Sequence, residues 1–129
     1  MMVKIIVADD EPTHQEFVAT ILVRAGHSVI SVANGKECLR QLEECSTDLV
    51  VADIFMPHLD GIQMLTMMRA QGRRIPVIGM TGGMRGVISP FTDIMSRMGA
   101  CAVLIKPFSG EYLLRAVQRS LEPKANQEG

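Results

Sequence analysis

The sequence predicts an α/β domain, a three-layer, doubly wound sandwich around a five-stranded parallel sheet. Short apolar runs at 3–8, 29–32, 49–52, 77–80 and 103–105 alternate with segments of helical period, the pattern of repeated βα units. Four of those runs end in a polar group: Asp9-Asp10, Asp53, Thr81 and Lys106. Right-handed crossovers would bring every such end to one edge of the sheet, where open α/β sheets bind their ligands. Periodicity leaves the strand order open.

Each element has its own signals. After the first run, Pro12 suits a first helical turn, Phe17, Val18, Ile21, Leu22 and Ala25 mark an inner stripe, and Gly26 stops the helix. Val29, Ile30 and Val32 form the second strand, and Asn34-Gly35 opens a helix carrying Cys38, Leu39, Leu42 and Cys45. The third strand ends at Asp53. Gly61 leads into a helix with Ile62, Leu65 and Met68 inward, closed near Gly72. The fourth strand follows Pro76 and gives way to a soft, glycine-rich stretch from Thr81 to Ser89. Ser89-Pro90 reads as cap and first position of a short helix through Met98. After the fifth strand, Ser109 caps a last helix with Leu113, Leu114, Val117 and Leu121 inward, ended by Pro123. One domain over residues 1–122 is expected, with 123–129 a frayed or appended tail.

A chain of 129 residues is long enough for a real core. Its 47% hydrophobic and 21% charged residues suit a globular protein in water. A net charge of -1 argues against direct nucleic-acid or membrane-surface binding. No apolar stretch approaches the roughly 18 residues of a membrane span. The start has no signal-peptide layout, so a cytoplasmic location is expected. Cys38, Cys45 and Cys101 lack a CxxC pair and read as small core hydrophobes in a reducing compartment. His14, His27 and His58 show no ligand spacing, and Arg73-Arg74 reads as a solvated face.

Gathered at one edge, Asp9, Asp10 and Asp53 would repel one another. At an effective dielectric near 20, each like-charge contact at 4 Å costs about 4 kcal/mol, so protonation or a divalent cation must compensate. Hard oxygen ligands favour Mg²⁺, with Mn²⁺ feasible. With a cation present, Asp53 becomes a nucleophile toward phosphorus, Lys106 neutralises phosphoryl oxygens and Thr81 donates a hydrogen bond.

With those residues in place, the chain resembles the receiver domains of two-component response regulators over roughly residues 3–121. The resemblance rests on Asp9-Asp10, on Asp53 with Met56-Pro57 and Asp60-Gly61, on Thr81, and on Lys106-Pro107-Phe108. It implies the flavodoxin-like strand order 2-1-3-4-5. It also implies that Asp53 accepts phosphate from a histidine kinase or a histidine phosphotransfer protein, in a signalling domain that is not a conventional enzyme. By the same resemblance, Asp10, Asp53 and the backbone carbonyl of Phe55 hold Mg²⁺, with Asp9 acting through water. Thr81 and Lys106 bind the phosphoryl oxygens, and the Lys106–Pro107 bond is cis. Homodimers or targets would use the face of the fourth helix, fifth strand and fifth helix.

Three departures from the family's pattern carry expectations. Val103 stands where relatives usually have an aromatic, so threonine-to-aromatic coupling should be weak. Phe55 and Gly83 give an attacking water no polar guide, so the phosphorylated form should hydrolyse slowly. The stretch from Thr81 to Ser89 either carries the switch or is merely a mobile loop. Two other classes remain open on the residues alone. Asp9-Asp10-Glu11-Pro12-Thr13 loosely echoes the D-x-D-x-T signature of haloacid-dehalogenase-type phosphohydrolases, with Glu11 in place of the second Asp. A flavodoxin-like cofactor binder or phosphate-independent interaction module is the other, although the acids would repel a flavin phosphate.

Overall fold

The computed structural model describes residues 2–82 and 90–123. Five strands and five helices alternate: β1 (Lys4–Ala8), α1 (Pro12–Arg24), β2 (Ser28–Val32), α2 (Gly35–Glu44), β3 (Leu49–Asp53), α3 (Gly61–Ala70), β4 (Val77–Gly82), α4 (Pro90–Arg97), β5 (Ala102–Lys106) and α5 (Gly110–Ser120). The sheet is parallel throughout, in the order β2-β1-β3-β4-β5. This flavodoxin-like order is the one the resemblance implied.

Strand alternation divides the core into two layers. Ile6, Ala8, Val50 and Ala52 face one way and pack with Cys38 and Leu42 of α2, Met64, Leu65 and Met68 of α3, and Met95 of α4. Ile5, Val7, Leu49 and Val51 face the other way, against Val18 and Leu22 of α1 and Leu113 and Val117 of α5. All five residues of β3 are buried, which is why 49–52 reads as an unbroken apolar run. The edge strands β2 and β5 are partly exposed.

The helix starts are chemically defined. Asn34 accepts from the Glu37 amide at 2.9 Å, and Ser109 accepts from the Tyr112 amide at 3.0 Å. Asp60 and Gln63 form a reciprocal capping box. Gly26, Gly72 and Gly99 take left-handed φ just beyond α1, α3 and α4.

Several expectations need correction. The inner stripe of α1 is narrower than predicted: Val18 and Leu22 are buried, but Phe17 is 41% exposed and Ala25 is exposed. Of the cysteines, only Cys38 is buried; Cys45, at the C-cap of α2, and Cys101, just before β5, are exposed. Arg73 is half-buried rather than solvated, because its guanidinium donates to the Leu42 carbonyl and to the Gln71 side chain. The stretch from Thr81 to Ser89, the Ser89 cap and the tail lie largely outside the described residues, from 83 to 89 and from 124 onward.

Candidate functional site

The strand tips converge as parallel pairing dictates. Carboxylate oxygens from Asp9, Asp10 and Asp53 lie within 4.8 Å of one another. Asp9 and Asp53 are buried at the ends of β1 and β3, and Asp10 is exposed. Register puts Asp53 beside Met80 and Gly82 beside Lys106, so Thr81 and Lys106 border the same cluster. Lys106 Nζ donates to Asp53 Oδ2 at 2.8 Å and lies 3.6 Å from Asp9 Oδ2. The Thr81 hydroxyl is buried and finds no hydrogen-bond partner among the described residues. A buried orphan hydroxyl at a strand tip suits an acceptor that arrives later, since leaving it unpaired costs about 1–3 kcal/mol.

Electrostatics follow from that packing. Burial pushes the Asp53 carboxyl above its ordinary range, with Asp9 adding to the rise, while the Lys106 hydrogen bond and charge partly offset it. For Lys106 burial acts to lower the value, but Asp53 and Asp9 together hold the ammonium above it. Among the described residues, a cluster of three carboxylates thus has the Lys106 ammonium beside two of its members. The surplus of hard anionic oxygens is a donor set that fits Mg²⁺ or Mn²⁺.

The loop from β3 to α3 is held tightly against the site. The Phe55 amide donates to Asp53 Oδ1 at 3.2 Å, and the Gly61 amide donates to the Ile54 carbonyl at 2.9 Å. A Cβ on Gly61 would meet the Asp53 carbonyl oxygen at 2.6 Å, and one on Gly35 would meet the Leu59 carbonyl oxygen at 2.6 Å. The D-G pair therefore serves both purposes at once: Asp60 caps α3 while Gly61 lets its backbone lie on the end of β3. The Phe55 side chain is half exposed. The Lys106–Pro107 bond is cis. Val103, half-buried, joins the layer containing Met95, whose methyl group sits on Gly79 of β4.

The sequence did not reveal the role of His14. Its Nδ1 lies 2.7 Å from Asp9 Oδ2, and its ring meets Phe17 and Phe108. Gln15 beside it donates to the carbonyls of Asp9 and Val32, tying the tips of β1 and β2. The available signal was helical phase. Because α1 begins at Pro12, residues 14 and 15 fall in its first turn, directly beside the strand ends. His58 is an exposed residue of the β3–α3 loop with φ of 67°.

A parallel 2-1-3-4-5 sheet with this acidic pocket on its carboxyl edge defines a class: flavodoxin-like signalling domains with a phosphoacceptor-type pocket. The profile of the response regulator receiver domain matches residues 5–118. The response regulator FleR of Pseudomonas aeruginosa is 31% identical over 119 residues, 92% of this chain and 24% of that protein. The alkaline phosphatase synthesis regulator PhoP of Bacillus subtilis is 33% identical over 107 residues, 82% of this chain and 43% of that protein. Among solved structures, the chemotaxis response regulator CheY4 of Vibrio cholerae superposes with a TM-score of 0.83 at 29% identity, covering 94% of this chain and 100% of that one. The chain belongs to the response regulator receiver domain family. It spans less than half the length of these two curated relatives. The family consists of signalling domains rather than classical enzymes, and membership implies a histidine kinase as phosphodonor. The match goes against the phosphohydrolase reading, and Glu11, which stands at the second acid of that signature, is exposed and donates its backbone amide to Asp9. Among the described residues, no helix is long and apolar enough to cross a membrane.

Proposed function

We propose that Asp53 is the phosphoacceptor of this receiver, and that its phosphorylation by a histidine kinase or histidine phosphotransfer protein changes partner binding. The supporting observation is the meeting of Asp53 with two further acids, the Lys106 ammonium and the orphan Thr81 hydroxyl at one sheet edge. An Asp53 oxygen attacks the phosphorus of a phosphohistidine. The new P–O bond forms as the P–N bond breaks, and the electron pair returns to the imidazole. Mg²⁺, with Mn²⁺ as substitute, would be held by Asp10, Asp53 and the Phe55 carbonyl, with Asp9 acting through water. It would neutralise charge on the transferring group. Lys106 leaves its contact with Asp53 for a phosphoryl oxygen, and Thr81 donates its hydroxyl to another. The product adds roughly -1.5 to -2 units of charge at the strand tip, and charge-assisted contacts from Thr81 and Lys106 stabilise that state.

A cytoplasmic location goes with this reading. The exposed Ile105 of β5 and Tyr112 of α5, with Ile94 of α4, make the α4-β5-α5 face the proposed surface for a homodimer or target. With Val103 unable to rotate as an aromatic would, the switch runs through a different packing change. Intact mass after incubation with acetyl phosphate and Mg²⁺ tests the central claim. The wild type should gain the mass of one phosphoryl group and Asp53→Asn none; equal labelling of the two would overturn the assignment.

A further inference from the structure

The Asp9 side chain is fully buried and held from three directions. Oδ1 accepts from the Glu11 amide at 3.0 Å, while Oδ2 lies 2.7 Å from His14 Nδ1 and 3.6 Å from Lys106 Nζ. An ionised carboxylate only accepts, so Nδ1 carries the hydrogen and donates. Lys106 sits closer to Asp53, at 2.8 Å, so His14 is the nearer of the two partners of Oδ2. The imidazole is itself fixed. Its centroid lies 5.8 Å from that of Phe17, and 5.5 Å from that of Phe108 in an edge-on arrangement at 89°. Phe108 follows the Lys106-Pro107 pair, so the ring bridges the first turn of α1 and the loop after β5.

We infer that His14 is a positioning residue of the cation site, acting through Asp9. By holding one Asp9 oxygen from outside the cluster, it fixes the carboxylate orientation in advance, so that Asp9 meets cation-bound water without first losing rotamer freedom. The inference rests on the cation reading given above. Hydrogen-bond partners of metal-site carboxylates act in this way, and losing one typically weakens metal affinity by about 10–100-fold. No feature of the phosphoryl chemistry requires an imidazole here; the geometry alone assigns the role.

Calorimetric titration of the full chain with MgCl₂ tests this on wild type, His14→Phe and His14→Asn, with metal-free melting temperatures alongside. His14→Phe keeps an aromatic ring between Phe17 and Phe108 but removes the donor, and should raise the Mg²⁺ Kd by about tenfold. His14→Asn places an amide N–H near the Nδ1 position and should stay within about threefold of wild type. A ring that served packing alone would lower the melting temperature and leave the Kd in place. Equal Kd for wild type and His14→Phe, or equal losses in both variants, overturns the positioning role while leaving the cation site intact. A wild type that takes up no Mg²⁺ overturns the cation reading and this inference with it.

Discussion

At the end of the sheet where the strands begin, Arg69 donates to the carbonyls of Arg73, Ile75 and Gly99. Arg73 reaches across to Leu42. These contacts clip α2, α3 and the turn after α4 together, and each cation meets backbone acceptors that need it. At the opposite end, among the described residues, three carboxylates cluster beside the Lys106 ammonium, which pairs with Asp53 and Asp9, and the buried Thr81 hydroxyl has no partner. The first end pairs these two guanidinium groups with backbone acceptors and supplies stability. The other holds acids in excess of their cationic partners among the described residues, so it would gain from the cation and phosphoryl group proposed above. Stability and responsiveness are separated along the strand direction, with the buried β3 joining the two ends.

Substitutions at the two ends should therefore act in opposite senses. Arg69→Ala leaves three carbonyls without their donor and should destabilise the fold by about 3 kcal/mol, read by urea denaturation. The same variant should still take phosphate on Asp53 at low temperature. A loss of labelling with unchanged stability would break the contrast.

Asp53→Asn should do the reverse, raising metal-free stability at neutral pH by about 1 kcal/mol as a buried like charge is relieved. The sign follows from the raised Asp53 carboxyl. A folded-state value above the unfolded one means that the charged form weighs against folding. Wild-type stability then falls as pH rises through the window above the ordinary carboxylate range, and it recovers as pH falls. Urea midpoints measured across that window should rise less on acidification for Asp53→Asn than for wild type. Identical slopes would show that the acids at this end are already compensated.

The smallest expected effect on stability is that of Phe55→Asn, within about 0.5 kcal/mol for a half-exposed side chain. Its kinetic effect separates the two properties. A polar group beside Asp53 gives the attacking water a partner, so phosphate loss should quicken by up to about tenfold, equal to about 1.4 kcal/mol of barrier. Slower loss would contradict the role given to Phe55.

Much of this was legible in the chain itself. The apolar runs ended within two residues of the ends of β1, β3, β4 and β5, and they are clearest in β1, β3 and β4, since a parallel strand buried on both faces needs an unbroken apolar stretch. Asp9, Asp10, Asp53 and Lys106 came together because a right-handed βα repeat allows one edge for all strand tips. What stayed hidden depended on side-chain direction. His14 looked unattached because its partner is on the preceding strand. Arg73 looked solvated because its acceptor is a carbonyl, which has no signature in sequence. Cys45 was grouped with Cys38 on helical phase, yet the helix ends first and turns it outward.

The close approach at Gly61 and Gly35 has a practical consequence for mapping this protein by mutation. An alanine at Gly61 would press a methyl group into the carbonyl oxygen of Asp53, and one at Gly35 into that of Leu59 at the far end of the loop. The variant would score as signalling-dead although every reacting atom is still present. Neighbouring loop positions would then inherit blame in any screen that reads output alone. Pairing such a screen with a measure of folded protein would tell broken scaffolding from broken chemistry.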